Sequence, residues 1–358
     1  MASDHDATRN RRQHRSGMVA LADLLKQEHL IERIEKVEKN AIPVFVCGES
    51  GQSKKGEDFA LVKIDCERIP GDGSSTFGVF AIFDGHNGSA AAVHAKEHLL
   101  KDVMSALPSR LDRDEWLSIL PEAMIKGFLK TDRDFQQKGQ TSGTTVSLVI
   151  VDRWTVTVAS VGDSRCVLDT EAGVMPMTVD HRLDDNEAER QRIVDCGGEV
   201  GRLSTALGVE YGPLRCWPGG LCLSRSIGDA DVGEYIVAVP FVKQVKLPKT
   251  GGRIIIASDG VWDALSTEKA AKCCRGLPPN LAAKHIVKEA LGVAGLRDDT
   301  TCLVVDVIPP YKPHQNGRSS SDSAVRRPLV LEVFEEGSAN LAERTGFQSH
   351  RMENTVAM

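Results

Sequence analysis

The sequence predicts an α+β fold in which antiparallel β-sheets are covered by α-helices. One group of β-rich runs comes first, two long helical segments follow, and a second group of strands comes after them. Two of the later runs flank the dipeptide Asp152-Arg153, a spacing typical of a hairpin. A doubly wound parallel sheet is disfavoured, because the chain shows neither a regular strand–helix alternation nor an internal repeat.

Each predicted element depends on its own local pattern. The first strands are short β-rich runs at residues 44–47, 60–64 and 77–83. Helices are predicted at 89–107 and 114–137, and Pro121 is expected either to break the second helix or to open a new first turn. Gly197-Gly198 is expected to end a later helix. The remaining predictions are strands at 144–151, 154–161, 165–169, 220–223, 253–257 and 301–307 and helices at 186–196, 266–274 and 280–292.

The composition is that of an ordinary globular protein, with 358 residues of which 41% are hydrophobic and 26% charged. The net charge of −6 provides no basic field that would attract nucleic acid. No run reaches the roughly 18 apolar residues that span a bilayer, and the N-terminus lacks an apolar secretory core. Nine cysteines without a C-x-x-C pair predict reduced thiols in the cytoplasm or the nucleus rather than a zinc ribbon.

The predicted organisation places one folded domain between two tails. Residues 1–17 and 311–358 are expected to be disordered, the second tail for most of its length. Residues 18–39 carry the apolar spacing of an amphipathic helix. We expect this helix to pack on the domain at 40–310, with docking of a partner as the alternative.

Carboxylates stand where predicted strands begin or end. They are Glu57-Asp58, Asp84-Gly85, Asp163, Asp259-Gly260 and Asp298-Asp299. Carboxylates at the ends of adjacent strands converge at one edge of a sheet, where they repel each other unless a cation lies between them. Hard divalent cations prefer oxygen ligands, so the pattern predicts Mg²⁺ or Mn²⁺ rather than zinc. A two-metal site of this kind suits hydrolysis of a phosphate monoester or of a phosphodiester.

The ordered series of segments resembles the metal-dependent protein serine/threonine phosphatases of the 2C type, the PPM family, and its plant members most of all. The similarity extends over roughly residues 44–308, so that 40–310 is the expected phosphatase catalytic domain. The segments that carry it are "GEDFALV", "FGVFAIFDGHNGSAAA", "SGTTVSLVIV", "VASVGDSRCVL", "VDHRLDDNEAERQRIVDCGGEV", "LCLSRSIGD", "IIIASDGVWDALS" and "RDDTTCLVVDV".

The resemblance implies a central β-sandwich of two antiparallel sheets flanked by helices, a four-layer α-β-β-α arrangement with a binuclear Mg²⁺ or Mn²⁺ site at one end. It implies that Asp84 bridges both ions and that Gly85 binds through its carbonyl. Asp259 and Asp298 are expected to hold one ion, and Glu57 and Asp58 to contribute directly or through water. Asp163 matches the position of a weaker third ion.

The implied reaction is hydrolysis of phosphoserine and phosphothreonine by a metal-activated water, without a covalent intermediate. Asp84 and His86 are the expected catalytic residues, with His86 as the general acid for the leaving alkoxide. The expected partners are phosphoprotein substrates, a kinase or receptor among the candidates, with no nucleic acid and no membrane span. The expected oligomeric state is a monomer.

One position departs from the pattern of the family. Many members have an arginine, which binds the substrate phosphate, four residues before the glutamate of Glu57-Asp58, and this chain has Ser53 there. Lys54 and Lys55 are the nearest cations. We expect one of them to bind the phosphate as a point charge, without the bidentate geometry of arginine.

Two other functions remain open from the sequence alone. A pseudophosphatase would use the fold to sequester a kinase or receptor, and the missing arginine is its only support. A two-metal nuclease is disfavoured by the acidic net charge and the absence of a basic stripe. The retained carboxylates favour an active phosphatase, because unused metal ligands would repel each other.

Overall fold

The computed structural model describes residues 42–310. The predicted tails at 1–17 and 311–358 and the predicted helix at 18–39 lie outside the described residues. The described helices are α1 (Ala90–Ser105), α2 (Arg113–Gln136), α3 (Glu187–Asp195), α4 (Asp259–Trp262), α5 (Thr267–Cys274) and α6 (Pro279–Ala294).

The strands form two large sheets and one small ribbon. They are β1 (Val44–Gln52), β2 (Asp58–Glu67), β3 (Thr76–His86), β4 (Gly143–Asp152), β5 (Thr155–Val161), β6 (Arg165–Thr170), β7 (Gly173–Pro176), β8 (Glu199–Ser204), β9 (Glu210–Trp217), β10 (Ile227–Gly228), β11 (Phe241–Lys246), β12 (Gly252–Ala257) and β13 (Thr300–Ile308). One sheet has the order β1-β13-β12-β6-β7. The other has the order β11-β5-β4-β3-β2, with β10 beside β4, and β8 pairs with β9. The pairings in both sheets are antiparallel.

The alternation of side chains along the central strands builds the layers. In β3, Phe80 and Ile82 pack against β12 and β13 of the other sheet, while Phe83 points the opposite way, towards α1 and α2. Successive side chains of a strand point to opposite faces, so a strand buried on both sides is apolar throughout. On the outer face of the sheet that contains β12 and β13, Ile255 and Val304 pack against α4, α5 and α6. The order is helices, sheet, sheet, helices, which confirms the predicted four-layer fold class.

Pro121 neither breaks the second helix nor begins a new one, so both expectations for it were wrong. It lies inside the continuous helix α2. A proline has no N–H for the carbonyl four residues earlier, which here belongs to Leu117. The side chain of Gln244 on β11 donates its Nε2 to that carbonyl at 3.0 Å. A contact from a neighbouring strand therefore replaces the missing helical hydrogen bond.

The region between β7 and β11 differs most from the prediction. The predicted strand at 220–223 is not formed, because Gly219 and Gly220 have positive φ angles and leave only isolated bridges. The ribbon β8–β9 was not predicted. One of the isolated bridges pairs Leu223 with Arg182 and thereby holds Arg182 beside the sandwich. No helix within residues 42–310 combines the length and the apolar character needed to cross a bilayer.

Candidate metal centre

The predicted acidic residues meet at one end of the sandwich. Asp58 begins β2 and lies directly opposite Asp84 in β3. Asp163 lies in the turn between β5 and β6, and Asp259 is the first residue of α4. Carboxylate oxygens of Asp84, Asp163 and Asp259 all lie within 4.8 Å of one another. The antiparallel ladders therefore bring together side chains that are far apart in the chain.

Two glycines allow the backbone segments of this site to approach closely. A Cβ added at Gly85 would lie 2.8 Å from the carbonyl oxygen of Glu57, and one at Gly260 would lie 2.3 Å from that of Asp299. Distances this short are not tolerated by a real side chain, so both positions require glycine. The Gly85 N–H also donates to the Glu57 carbonyl at 3.1 Å, which fixes Glu57 beside β3.

The carboxylates of Asp84, Asp163 and Asp259, called the acidic cluster below, repel one another, and this favours a cation between them. Desolvation raises the pKa of Asp84 well above its usual value, and the charges of Asp58, Asp259, Asp163 and Asp298 raise it further. Burial also raises the pKa of Asp58 to about 6. Burial and the charge of Asp163 raise the pKa of Asp259 to about 7, although Arg182 opposes this shift. Carboxylates in such surroundings are stabilised in their ionised form by a cation.

Asp58 has one oxygen engaged and one oxygen available. Its Oδ2 accepts a hydrogen bond from the hydroxyl of buried Ser258 at 2.8 Å. Its Oδ1 is buried and has no hydrogen-bond partner among residues 42–310. An unpaired buried carboxylate oxygen is costly, and it suits a ligand to a hard cation.

The remaining predicted site residues line the edge of the cluster. The Glu57 carboxylate accepts a hydrogen bond from the Gly88 N–H at 2.7 Å. Lys55 places its Nζ 2.7 Å from Asp298 Oδ2, and Lys54 donates its Nζ to the carbonyl of Arg297. Lys55 is therefore directly beside a predicted ligand, whereas the ammonium group of Lys54 is bound to backbone.

His86, the last residue of β3, is paired with Asp229. Its Nε2 lies 2.9 and 2.8 Å from the two carboxylate oxygens of Asp229. Ser226 donates its hydroxyl to the same carboxylate at 2.5 Å. Burial lowers the pKa of His86, but the hydrogen bond and charge of Asp229 outweigh burial, so the pKa lies above its usual value. The sequence did not predict this pair, because 143 positions separate its members.

Asp299, next to the predicted ligand Asp298, has a different environment. Its carboxylate accepts hydrogen bonds from backbone N–H groups of four residues, at 2.5 to 3.2 Å; the donors are Lys54, Lys55, Glu57 and Asp58. Burial raises the pKa of Asp299, but these donors outweigh burial and hold the pKa below its usual value. Asp299 therefore anchors the loop that carries Glu57 and Asp58.

Arg182 and Asp263 also belong to the site, although neither is among the residues predicted for it. The guanidinium of Arg182 contacts Asp163, Asp259 and Asp263 at 2.5 to 2.7 Å. Asp263 follows Asp259 by four residues, which places both side chains on the same face of a helical turn. That spacing was the signal for Asp263, and the sequence around Arg182 offered none.

Comparison with known proteins shows which family this chain is similar to. Residues 44–294 match the family model described as Protein phosphatase 2C. The chain is 57% identical over 350 residues to an Arabidopsis thaliana protein named "Probable protein phosphatase 2C 12", covering 91% of this chain and 80% of that protein. It is 59% identical over 329 residues to "Probable protein phosphatase 2C 33" of Oryza sativa subsp. japonica, covering 85% of this chain and 76% of that protein.

A solved structure shares the fold. The serine-threonine phosphatase 2C of Toxoplasma gondii superimposes with a TM-score of 0.59 at 23% identity, covering 75% of this chain and 98% of that one. At this identity the superposition supports the fold alone. The matched family model, the plant relatives and the clustered carboxylates together show that the chain belongs to the protein phosphatase 2C family of protein serine/threonine phosphatases.

Proposed function

We propose that this chain hydrolyses phosphoserine and phosphothreonine esters in proteins at the Asp84 cluster, with Mg²⁺ or Mn²⁺ as its cofactor. The observation that carries the proposal is the convergence of Asp84, Asp163 and Asp259 within 4.8 Å of one another. The resemblance assigns these positions to the metal centre of a phosphatase. The acidic net charge argues against a polyanionic nucleic acid as the substrate.

The donor set fits a pair of hard divalent cations. The candidate ligands are oxygen atoms, supplied by carboxylates and by the Gly85 carbonyl, and Asp58 has a buried oxygen without a partner among the described residues. Residues that would hold the ions are Glu57, Asp58, Asp84, Gly85, Asp259 and Asp298, with Asp163 for a weaker third ion. Bound Mg²⁺ or Mn²⁺ would lower the pKa of a bound water and offset the negative charge of the phosphate.

The side chains of the protein would position the substrate and transfer one proton to the leaving group. The Asp229 carboxylate can keep a proton on Nε2 of His86, because both of its oxygens lie within hydrogen-bond distance of that nitrogen. A second proton on Nδ1 would then be available for the leaving serine or threonine oxygen. The raised pKa of His86 supports this role, since a larger fraction of the imidazole is protonated near neutral pH.

Lys55 is our proposed contact for the substrate phosphate. Its ammonium group lies at the edge of the cluster, 2.7 Å from Asp298, where it could exchange a carboxylate oxygen for a phosphate oxygen. Lys54 is the weaker candidate of the two, because its Nζ donates to the carbonyl of Arg297. A lysine supplies charge here but not the paired N–H groups of arginine.

The test is phosphate release from a phosphothreonine peptide, measured with Mn²⁺ and with a chelator, for the wild type and for Asp84→Asn. We expect turnover only with the divalent cation, and a loss of about a thousandfold in kcat for Asp84→Asn. Asp65→Asn is the matched control, because Asp65 is an exposed aspartate in the same strand as Asp58. Turnover that persists in chelator would contradict the metal requirement. Tight Mn²⁺ binding without turnover would favour a pseudophosphatase.

A further inference from the structure

The guanidinium of Arg182 contacts carboxylates on one side of the acidic cluster, and all three of its nitrogens take part. Nε lies 2.5 Å from Asp163 Oδ2, Nη2 lies 2.7 Å from Asp259 Oδ2, and Nη1 lies 2.5 Å from Asp263 Oδ1. Guanidinium remains charged at every physiological pH, and its planar set of donors suits several carboxylates at once. Arg182 therefore brings one fixed positive charge to three acidic side chains.

The backbone on both sides of Arg182 is fixed, so this contact is built into the fold. The His181 N–H donates to the Gly162 carbonyl at 3.1 Å, and the Leu183 N–H donates to the Cys222 carbonyl at 2.9 Å. His181 and Leu183 are both buried. The Arg182 N–H itself donates to Asp180 Oδ1 at 3.2 Å. These anchors hold the arginine next to the turn that carries Asp163.

The atoms that Arg182 contacts include candidate cation ligands. Asp163 Oδ2 and Asp259 Oδ2 each accept one of its hydrogen bonds. Within residues 42–310, Arg182 forms no hydrogen bond with Asp84, the third member of the cluster. The positive charge is thus confined to the side of the cluster that contains Asp163. A cation that shared Asp163 and Asp259 would meet the guanidinium at close range, where like charges repel strongly.

We propose that Arg182 is an internal cation that holds Asp163, Asp259 and Asp263 together and competes with a divalent cation for Asp163 and Asp259. Binding at Asp84 and Asp58 leaves the arginine in place, whereas binding that uses both Asp163 and Asp259 requires it to move away. The side of the site that contains Asp163 is therefore the weaker side for divalent cations because of this chain's own arginine. The inference rests on the proposed cation site, but not on catalysis.

Without Arg182, three carboxylates would lie together with no ion-pair partner among residues 42–310. The guanidinium of Arg182 contacts the carboxylate of Asp163 at 2.5 Å and that of Asp259 at 2.7 Å, and Asp163 is only 5% exposed. Loss of the guanidinium would therefore destabilise the metal-free fold and, at the same time, strengthen the attraction of this side for a divalent cation.

The test compares the wild type with Arg182→Gln and Arg182→Lys by calorimetric titration with Mn²⁺ and by thermal melting. Glutamine removes the charge, and lysine keeps the charge but loses the planar set of donors. We expect the weakest Mn²⁺ binding step to become about tenfold tighter in Arg182→Gln, with Arg182→Lys in between. In chelator, Arg182→Gln should melt about 3 °C lower than the wild type. Saturating Mn²⁺ should remove that difference, because the ion replaces the lost charge.

The control variant is Arg275→Gln. Arg275 binds Asp169 through two hydrogen bonds of 2.8 and 2.9 Å, and the two aspartates are similarly buried, at 8% exposure for Asp169 and 5% for Asp163. Loss of the Arg275 guanidinium should lower the melting temperature equally with and without Mn²⁺, and it should leave the Mn²⁺ affinity unchanged. Equal changes in Mn²⁺ affinity for Arg275→Gln and Arg182→Gln would overturn the inference.

The outcomes separate this inference from the proposed function. If the wild type binds no Mn²⁺, the proposed function is contradicted. In that case the proposed competition is supported only if the Arg182→Gln variant does bind Mn²⁺. If the wild type binds Mn²⁺ and the Mn²⁺ affinities of Arg182→Gln are unchanged or weaker, only the proposed competition is contradicted. A melting temperature in chelator that is unchanged in Arg182→Gln contradicts the role of internal cation.

Discussion

Asp84 and Asp299 lie in the same site and have opposite surroundings. Asp84 faces other carboxylates, which raise its pKa together with desolvation. Asp299 is only 3% exposed, yet its pKa is lowered, because backbone N–H groups donate to both of its oxygens. The environment, rather than the residue type or its burial, decides the role. An aspartate surrounded by donors anchors the protein, and one surrounded by carboxylates needs a cation.

The same contrast separates the neighbours Asp298 and Asp299. Asp298 extends towards Lys55 and contributes to the raised pKa of Asp84. Asp299 points instead to the loop that carries Glu57 and Asp58. Adjacent residues entering a strand point to opposite sides, so one aspartate is directed to the cluster and the next to the loop behind it.

The largest effect on stability is expected for Asp299→Asn. The amide nitrogen of asparagine cannot accept the N–H groups of Glu57 and Asp58 that one carboxylate oxygen now accepts. We expect the free energy of unfolding to fall by about 3 kcal/mol, measured by urea denaturation with and without Mn²⁺. Exposed Asp65→Asn should stay within about 0.5 kcal/mol of the wild type. A similarly small change for Asp299→Asn would show that the loop does not depend on this carboxylate.

The second expectation concerns pH. A carboxylate with a raised pKa is partly protonated near neutrality and must lose that proton to bind a cation. Because the pKa of Asp58 is about 6 and that of Asp259 about 7, Mn²⁺ affinity should weaken as pH falls from 8 to 6, by about tenfold per unit at the lower end. Calorimetry in buffers of different ionisation enthalpy would detect the released protons. Asp299 should contribute nothing to this pH dependence, since its lowered pKa keeps it ionised between pH 8 and 6. Constant affinity with no proton release would contradict the raised pKa values.

The third expectation is a gain in stability of the metal-free protein, whereas the first is a loss of stability. Asp84→Asn replaces a buried carboxylate, whose charged form is opposed by desolvation and by neighbouring carboxylates, with a neutral side chain, so the metal-free protein should gain about 1 kcal/mol in its free energy of unfolding. The same variant should lose most of the stabilisation that Mn²⁺ gives the wild type, because it lacks the central ligand. Melting curves in chelator and in Mn²⁺ measure both effects. If Asp84→Asn and Asp299→Asn destabilise the metal-free protein alike, the two aspartates do not differ in the way described.

The smallest expected effect is on substrate affinity. Lys55→Ala should raise KM for a phosphothreonine peptide about fivefold with little change in kcat, because one charged phosphate contact is lost. Lys54→Ala should raise KM less, since the Lys54 ammonium is bound to the Arg297 carbonyl. Steady-state kinetics at saturating Mn²⁺ would distinguish them. An unchanged KM in both variants would remove the lysines from substrate binding.

The layers of the fold were predictable because they depend on local patterns. The apolar runs that become β3 and β4 are buried on both faces, and a run of that kind indicates an interior strand. The ribbon β8–β9 was not predictable in this way. Its strand residues are exposed or half-buried except for Cys216, and Leu207 at its tip is 92% exposed, so no apolar alternation marks its strands. Pro121 was misjudged because its missing hydrogen bond is replaced by Gln244, from a strand remote in sequence.

The acidic members of the candidate site were predictable because each stands close to the beginning or the end of a strand. Their partners were not, since these depend on contacts between distant segments. Arg182 reaches Asp259 across 77 positions, and Asp299 reaches Glu57 across 242. The ends of the strands predict where carboxylates gather, but the sequence does not show which basic residue or backbone segment pairs with each of them. The roles of Arg182 and Asp229 became apparent only in three dimensions.

The most direct test of the central claim is an anomalous difference map from crystals grown with Mn²⁺. The account predicts manganese peaks at bonding distance from the carboxylate of Asp84, with further ligands from the start of β2, from α4 and from the residues just before β13. Peaks only elsewhere on the protein, or none at all at an Mn²⁺ concentration that supports turnover, would contradict the claim that these carboxylates form the metal centre.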